Sequence, residues 1–233
     1  KAGWLSLALD ILDEMRKTDC KPDKWTYSSV IGACHARWDV ALALFDEMPS
    51  YNLKRDTVVF NATISACDAG RQWQKALELL ELMEKLGVQP DTVTYNAVSS
   101  ACQNSKQWQQ ALRIFDRMDV LGIPKNSVSY SIALSASQLG GQWERALALF
   151  KLMVRDELRV DTGDYNMVLS ALDWHFDEAL EIFDHMLKTT PTPAVSTYNC
   201  MLGACRKASK WEKALDLFQE IGALGLKPDR ITF

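Results

Sequence analysis

The chain has 233 residues, of which 48% are hydrophobic, and its net charge is −4 with an isoelectric point near 5.5. This apolar content is enough for a continuous core, whereas the acidic balance excludes binding of nucleic acid through bulk positive charge. No apolar run reaches the roughly 18 residues of a membrane-spanning helix, so no membrane insertion is expected. No targeting segment is visible either.

An internal repeat dominates the chain. Phe60, Tyr95, Tyr130 and Tyr165 follow one another at intervals of 35 residues. Self-similarity at a fixed period of this length is typical of solenoid proteins, in which each repeat buries its apolar face against its neighbours. The sequence therefore predicts an all-α fold, an α-solenoid of stacked antiparallel helix-turn-helix hairpins.

We divide the chain into consecutive repeats. In chain order they are residues 24–56, 57–91, 92–126, 127–161, 162–194 and 195–229. Residues 1–23 contain the second helix of a partial repeat, and residues 230–233 begin a further one, so we expect the chain to be part of a longer protein. Two of the repeats have 33 residues because the turn inside the hairpin is shorter, and both should still stack.

Residues 57–91 show what one repeat must be. The apolar stripes of its two predicted helices are Phe60, Ile64 and Cys67, and then Trp73, Ala76, Leu77, Leu80 and Met83. Both stripes follow helical spacing. Gly87 is placed to adopt the left-handed conformation after the second helix, and Pro90 cannot continue it.

The six cysteines do not form a disulfide set. Cys34, Cys67, Cys102 and Cys205 occupy the eleventh position of their repeats, where two other repeats have serine and leucine. A position that accepts all three residue types is predicted to be a small packing site. Its copies lie about 9–10 Å apart by helix-packing distances, which is too far for a disulfide.

Two further positions recur with a structural interpretation. The third position is polar in five of six repeats, and we expect it to be the N-cap of the first helix; its residues are Thr26, Val59, Thr94, Ser129, Asp164 and Thr197. The seventeenth position is aromatic and is expected to open the second helix and pack between hairpins. Its residues are Trp38, Trp73, Trp108, Trp143, Phe176 and Trp211.

No enzyme is expected. The sequence has no glycine-rich phosphate loop and no zinc-type cysteine pairing. Asp177, Glu181 and His185 share one face of a predicted helix, which a metal could use, but a solvated outer face is the preferred interpretation. We therefore predict no metal, no cofactor and no small-molecule substrate.

The pattern Thr-Tyr-Asn, then Ala-Leu, then Met, then Gly and Pro-Asp, at a period of 35 residues, resembles the pentatricopeptide repeat family. The resemblance extends over essentially the whole chain. It implies a right-handed superhelix, a location in an organelle (mitochondrion or plastid), and recognition of single-stranded RNA with one base read per repeat.

The resemblance also assigns residues. The fifth and the last residue of each repeat would recognise a base, and the pairs are Ser28 with Asp56, Asn61 with Asp91, Asn96 with Asn126, Ser131 with Asp161, Asn166 with Ala194, and Asn199 with Asp229. By resemblance, Ser with Asp favours G, Asn with Asp favours U, and Asn with Asn favours C. The expected target is G-U-C-G-pyrimidine-U, read 5′ to 3′ along the chain.

By the same resemblance, other positions would contact the face of each base and the phosphates of the RNA. Second-position residues of neighbouring repeats would clamp each base, and the candidates are Trp25, Val58, Val93 and Val128. Gly163 and Ser196 replace them in the last two repeats, and neither can clamp well. Lys207 is the only basic residue at the thirteenth position, where the family often meets phosphate.

A second function stays open from the sequence. The acidic balance, the missing thirteenth-position lysines and the altered last two repeats would also suit a protein-interaction scaffold in a large organellar assembly, such as a ribosome or a membrane-bound energy complex. A solenoid groove can bind a helix or an extended peptide as well as RNA. The recognition pairs favour RNA, and other proteins of an organellar complex remain possible partners.

Overall fold

A computed structural model describes residues 2–18, 20–35, 37–189, 192–229 and 232. Within these residues the helices are joined by turns and short connectors, and there is no strand. It divides into two compact units, residues 1–125 and 126–233. The residues expected to begin a further repeat lie, apart from Thr232, outside the described part of the chain.

The first unit contains a single helix followed by three helical hairpins. Its helices are α1 (Ala2–Lys17), α2 (Lys24–Ala33), α3 (Trp38–Glu47), α4 (Thr57–Ala69), α5 (Trp73–Lys85), α6 (Thr92–Asn104) and α7 (Trp108–Val120), with a 3-10 turn at Met48–Tyr51 after α3. First helices pack against one another, α2 on α4 and α4 on α6, and each also contacts the second helix of the preceding hairpin. They form a continuous layer within the unit.

The second unit contains three hairpins of the same kind. Its helices are α8 (Ser127–Leu139), α9 (Trp143–Arg155), α10 (Thr162–Ala171), α11 (Phe176–Lys188), α12 (Val195–Lys207) and α13 (Trp211–Ala223). Again the first helices are in contact, α8 with α10 and α10 with α12. The predicted fold class, an α-solenoid of stacked hairpins, is confirmed, while the exact repeat boundaries remain a prediction.

A recurring ring contact joins one hairpin to the next. Phe45 of α3 meets Phe60 of α4 edge to face, with ring centroids 4.8 Å apart. The second unit repeats this contact twice, between Phe150 and Tyr165 at 5.0 Å and between Phe183 and Tyr198 at 5.4 Å. Such pairs contribute about 0.5–1.5 kcal/mol beyond the burial of their area. In each of these three contacts, one ring belongs to the fourth residue of a repeat.

Several sequence predictions about packing are confirmed. The four eleventh-position cysteines are buried, and burial raises the pKa of Cys34 and Cys67 to about 11 and that of Cys102 to about 12. Gly87 has a φ of +69° at the end of α5, as expected. The seventeenth-position aromatics begin the second helices.

The aromatic residue that opens each second helix packs toward the next hairpin where the contact is described. The Trp38 ring lies so close to Gly70 that a methyl group there would come within 2.3 Å of its Cδ1 atom. Trp143 stacks on His175 with ring centroids 3.8 Å apart. Trp211 differs, because it is 67% exposed.

The N-cap prediction is wrong by three positions. The first helices begin at the first residue of each repeat, and the cap is the last residue of the repeat before it. In α6, the carboxylate of Asp91 accepts the backbone N–H of Thr94 at 2.8 Å, and the Thr94 hydroxyl lies 3.2 Å from the backbone N–H of Asp91. The third residue is therefore not the cap, and in α6, α8 and α10 it is the reciprocal partner of a capping box. The corrected residues are Thr26, Val59, Thr94, Ser129, Asp164 and Thr197.

Candidate functional site

The predicted recognition residues lie at the N-terminal ends of the first helices. Their fifth-position side chains, Ser28, Asn61, Asn96, Ser131, Asn166 and Asn199, are all partly exposed. One position shared by all first helices thus places a row of small polar groups within reach of solvent in each unit. The last residue of each repeat lies beside this row because it caps the next first helix.

Asn61 and Asp91 are brought together as predicted. The Asn61 amide donates from Nδ2 to Asp91 Oδ1 at 3.2 Å, and Thr94 Oγ1 donates to Asn61 Oδ1 at 2.6 Å. Burial acts to raise the pKa of Asp91, but hydrogen bonds from Thr94 and Asn61 outweigh it, so the pKa lies below its ordinary value. A carboxylate thus stands next to a fixed carboxamide.

The last pair repeats this arrangement. Asn199 Nδ2 lies 3.0 Å from Asp229 Oδ1, and Thr232 Oγ1 donates to Asn199 Oδ1 at 2.8 Å. Asp229 Oδ1 also accepts the backbone N–H of Thr232 at 3.1 Å. Two repeats in different units therefore form the same three-residue network. Of the two threonines, Thr94 was predicted from the sequence to be a helix cap.

The two serine pairs are not joined directly. Asp56 accepts a hydrogen bond from Lys24 Nζ at 2.6 Å. Burial opposes ionisation of Asp56, but this ammonium group and the cap contacts hold its pKa below the ordinary value. The Ser131 hydroxyl donates to Asp164 at 2.6 Å rather than to its predicted partner Asp161.

Asp164 is an unusual residue in this row because it is 1% exposed. Burial raises its pKa above the ordinary value and outweighs the hydrogen bonds from the Asp161 backbone and the Ser131 side chain, which act to lower it. Its second oxygen accepts the backbone N–H of Asp161 at 2.9 Å, and Asp161 in turn caps α10. Sequence reasoning missed Asp164 as a partner of Ser131, although its place in the polar third position was visible.

The pair of Asn166 with Ala194 does not form a network. Ala194 leaves α12 without a side-chain cap. The Asn166 amide turns to Ser196, donating to its hydroxyl at 2.9 Å, and its Oδ1 atom is buried with no partner in the described structure. The pair of Asn96 with Asn126 falls in different compact units, so its association stays a prediction.

The predicted clamp residues are all exposed. Trp25, Val58, Val93 and Val128 are 67%, 53%, 57% and 55% exposed, respectively. Such apolar groups at one repeated surface position can contact the face of a base. Gly163 and Ser196, which replace them later in the chain, are also exposed but offer little apolar surface.

Lys207, the predicted phosphate contact, already has a charged partner within the protein. Its ammonium group forms an ion pair with Asp173, from the turn of the preceding hairpin, and lies 4.8 Å from the ring centroid of Trp174. Asn104, at the same position in α6, makes the equivalent contact with Asp68 at 2.8 Å. A phosphate would have to compete with Asp173 for Lys207.

The three residues of α11 that could have shared a metal, Asp177, Glu181 and His185, do not form a metal site. Asp177 and Glu181 are exposed, whereas His185 Nδ1 lies 2.8 Å from the Tyr165 hydroxyl. Among the described residues, no group of three or more His, Cys, Asp or Glu side chains could hold a metal ion. Of the described helices, none is long and apolar enough to cross a membrane.

The hairpins and their repeated polar row define an α-solenoid made of tandem two-helix repeats. Sequence profiles of the PPR repeat family match residues 55–104, 90–137 and 193–233. A pentatricopeptide repeat domain profile matches residues 1–37 and 148–208, and a PPR repeat profile matches residues 128–158. The chain belongs to the pentatricopeptide repeat family.

Known proteins resemble parts of the chain. The mitochondrial 15S rRNA processing factor CCM1 of Saccharomyces cerevisiae is 45% identical over 58 residues, 24% of this chain and 7% of that protein. A mitochondrial pentatricopeptide repeat-containing protein of Arabidopsis thaliana is 32% identical over 83 residues, 34% of this chain and 15% of that protein. The chain therefore spans a small part of these relatives.

Solved structures share the fold over most of the chain. PPR10 from maize matches with a TM-score of 0.68 and 30% identity, over 99% of this chain and 34% of PPR10. PPR10 in complex with an 18-nt psaJ RNA element matches with a TM-score of 0.59 and 26% identity, over 99% of this chain and 38% of that one.

Proposed function

We propose that this chain binds single-stranded RNA sequence-selectively, with one base read per repeat. The observation that carries the proposal is the closed network of Asn61, Asp91 and Thr94, which recurs around Asn199. A side chain can discriminate between bases only if it is held in one orientation. This network holds the Asn61 carboxamide in one orientation. The complex of the related PPR10 with RNA supports the same assignment.

The chemistry of the Asn61 site suits uracil. With Oδ1 held by Thr94 and one Nδ2 hydrogen on Asp91, the amide keeps a second N–H for a base carbonyl. The neighbouring carboxylate can accept the N3–H of the same base. Uracil presents this combination of an acceptor beside a donor on its Watson–Crick edge, whereas cytosine has an acceptor at N3.

The full proposed target is G-U-C-G-pyrimidine-U, read 5′ to 3′. Its bases are assigned by the recognition pairs, and the exposed second-position residues Trp25, Val58, Val93 and Val128 would contact the first bases. Stacking and packing on base faces are sequence-tolerant and add affinity. The last two repeats, with Gly163 and Ser196, should contribute less.

An organellar location, in a mitochondrion or plastid, is part of this proposal. Both curated relatives are mitochondrial by name, and one is a processing factor for 15S rRNA. We accordingly propose a role in organellar RNA processing, stability or translation. The recognition and ordering of RNA would be the contribution of these residues, with no chemical step of their own.

One observation favours a second function, a protein-interaction scaffold. Lys207 is neutralised by Asp173, and the chain carries a net charge of −4. Because phosphate neutralisation supplies much of the affinity for nucleic acids, this chain should bind RNA only modestly. A groove that has lost its RNA could instead hold a helix or peptide of an organellar complex.

A binding assay separates the two functions. The purified chain is titrated with a fluorescent six-base RNA, GUCGUU, and with a scrambled RNA of the same composition, at two salt concentrations. Selective, salt-sensitive binding is expected, and equal, negligible binding to both RNAs would favour the scaffold. The variant Asn61→Ser should shift the preference at the second base from U toward G.

A further inference from the structure

In three repeats of the described structure, the third residue of the following repeat contacts the recognition side chain. Thr94 Oγ1 lies 2.6 Å from Asn61 Oδ1, and Thr232 Oγ1 lies 2.8 Å from Asn199 Oδ1. The base-recognition pairs taken from the family do not include this residue. Thr94 is fully buried, and Thr232 is 8% exposed, so their contact lies beneath the surface that a base would approach.

The hydrogen bonds around Asn61 are consistent with one amide orientation. The backbone N–H of Thr94 donates to Asp91 Oδ1, so this oxygen is an acceptor. Asn61 must then point its Nδ2 group at Asp91, since two oxygens at 3.2 Å would repel. Its Oδ1 consequently faces the Thr94 hydroxyl at 2.6 Å, which is shorter than the 2.9 Å between that hydroxyl and Asp91 Oδ1. Asp91 and Thr94 together therefore decide which end of the amide faces the base.

The repeat that ends in Ala194 shows what happens when this network is open. Thr197 is present, but Ala194 cannot hold the Asn166 amide. That amide turns to Ser196 and leaves its Oδ1 buried without a partner in the described structure. The orientation of the asparagine thus depends on the last residue and the third residue together.

In the repeat of residues 127–161, the third residue after the repeat is an aspartate. Ser131 Oγ lies 2.6 Å from Asp164 Oδ1 and 2.9 Å from the carbonyl of Ser127. The hydroxyl has one hydrogen, and a buried carboxylate is the stronger acceptor. With its hydrogen committed to Asp164, Ser131 can offer a base only its lone pairs.

We propose that the third residue of the following repeat is a further determinant of base selectivity, acting as a positioning residue for the fifth-position side chain. In particular, Asp164 makes Ser131 an obligate hydrogen-bond acceptor and thereby makes the fourth base strictly guanine. This inference rests on the proposed RNA-binding function. Guanine has N–H donors at N1 and N2 facing such acceptors, whereas adenine has an acceptor at N1.

The chain contains its own comparison. Ser28 has the same predicted partner type, Asp56, but the third residue after its repeat is Val59, which cannot accept a hydrogen bond. Ser28 keeps a rotatable hydroxyl and can donate to adenine N1. We therefore expect the guanine-to-adenine affinity ratio at the fourth base to exceed that at the first base about tenfold, the range of one well-placed hydrogen bond.

The test uses six-base RNAs with G or A at the first or fourth base, and the full chain with and without Asp164→Thr. Threonine is the residue found at this position in other repeats, and as in Thr94 it can keep the capping-box contact with the cap residue, here Asp161. The fourth-base ratio should fall about tenfold, to the value at the first base, while the first-base ratio stays unchanged. An unchanged fourth-base ratio in a folded variant of wild-type affinity would overturn the inference.

A second pair of variants protects the test against misfolding. Thr94→Val should lower the preference for U over C at the second base about fivefold, whereas Thr94→Ser, which keeps the hydroxyl, should preserve it. Equal selectivity of both variants would also overturn the inference. If the unmodified chain shows no base preference at any position, the RNA-binding function itself fails, and the two failures are thereby distinguished.

Discussion

Replacing Ala194 by aspartate tests the link between helix capping and base recognition. Described first helices with an Asp or Asn cap are α2, α4, α6, α8 and α10, whereas α12 begins after Ala194 without a side-chain cap. In Ala194→Asp, the new carboxylate should accept the backbone N–H of Thr197, as Asp91 does for Thr94 at 2.8 Å. The same carboxylate should draw Asn166 away from Ser196.

Two terms set the expected gain in stability. A restored N-cap contributes about 1 kcal/mol. The buried Oδ1 of Asn166, now without a described partner, would accept the Thr197 hydroxyl, which removes an unsatisfied group and adds about 1 kcal/mol. The total of about 2 kcal/mol corresponds to a rise in Tm of roughly 4–8 °C for a chain of this size that unfolds in one step.

Because repeat proteins can unfold locally, the gain is best measured as amide hydrogen exchange in the first turn of α12. Ala194→Asn is the matched control, since it supplies the same cap with a different recognition residue. Both variants should slow amide hydrogen exchange in the first turn of α12. The aspartate variant should favour U at the fifth base, and the asparagine variant should favour C. Unchanged protection in both would refute the capping argument, and identical base preferences would refute its link to recognition.

Three more predictions follow from single contacts. Gly70→Ala should destabilise the chain by about 1–3 kcal/mol in denaturant unfolding, because the new methyl group would overlap the Trp38 ring. Asp173→Asn should free Lys207 and strengthen RNA binding severalfold, with a salt slope steeper by up to about 0.7. Asp91→Asn should cost about 0.5 kcal/mol near pH 7, a small value because the carboxylate is exposed and screened. This difference should be lost as the pH falls below the ordinary pKa of aspartate and through the lowered pKa of Asp91 in the folded state, because protonation removes the same charge.

Each of these variants has a matched control. Gly32→Ala adds the same methyl group where nothing lies within 4 Å, so it should leave stability unchanged or slightly higher. Asp177→Asn removes one exposed charge outside the Lys207 contact, and equal effects of it and Asp173→Asn would point to net charge alone. Asp23→Asn should show the same pH-dependent stability as Asp91→Asn, since the pKa of Asp23 is also lowered by the cap hydrogen bonds.

Periodicity was sufficient to predict the fold because burial follows it closely. Phe60, Ile64 and Cys67, chosen from helical spacing alone, are fully buried, and the tryptophans open the second helices as expected. The helix start was misplaced because serine, threonine and aspartate suit both the cap and the third helical position. Only the structure distinguishes the cap side chain, which accepts a backbone N–H of the first turn, from its reciprocal partner in the capping box.

The recognition residues were harder to predict than the fold because their partners depend on the neighbouring repeat. Asn61 finds Asp91 as expected, but Ser131 finds Asp164, three residues beyond its predicted partner Asp161. The sequence analysis paired each fifth residue with the last residue of its repeat. Such pairs cannot represent a network that joins three residues: the cap, its capping-box partner and the recognition residue. The sequence contained the signal, a polar third position, but its structural meaning was assigned to the helix end alone.

The difference between Thr94 and Asp164 has a physical consequence for how a row of similar repeats can be tuned. A threonine donates its hydrogen and so exposes the donor end of a neighbouring asparagine, whereas a carboxylate withdraws the hydrogen of a neighbouring serine and exposes an acceptor. Both outcomes are set by a residue that a base need not touch. Changing that buried residue would therefore alter base preference with little change in the binding surface, which selectivity measurements on Thr94→Val and Asp164→Thr can separate from a loss of affinity.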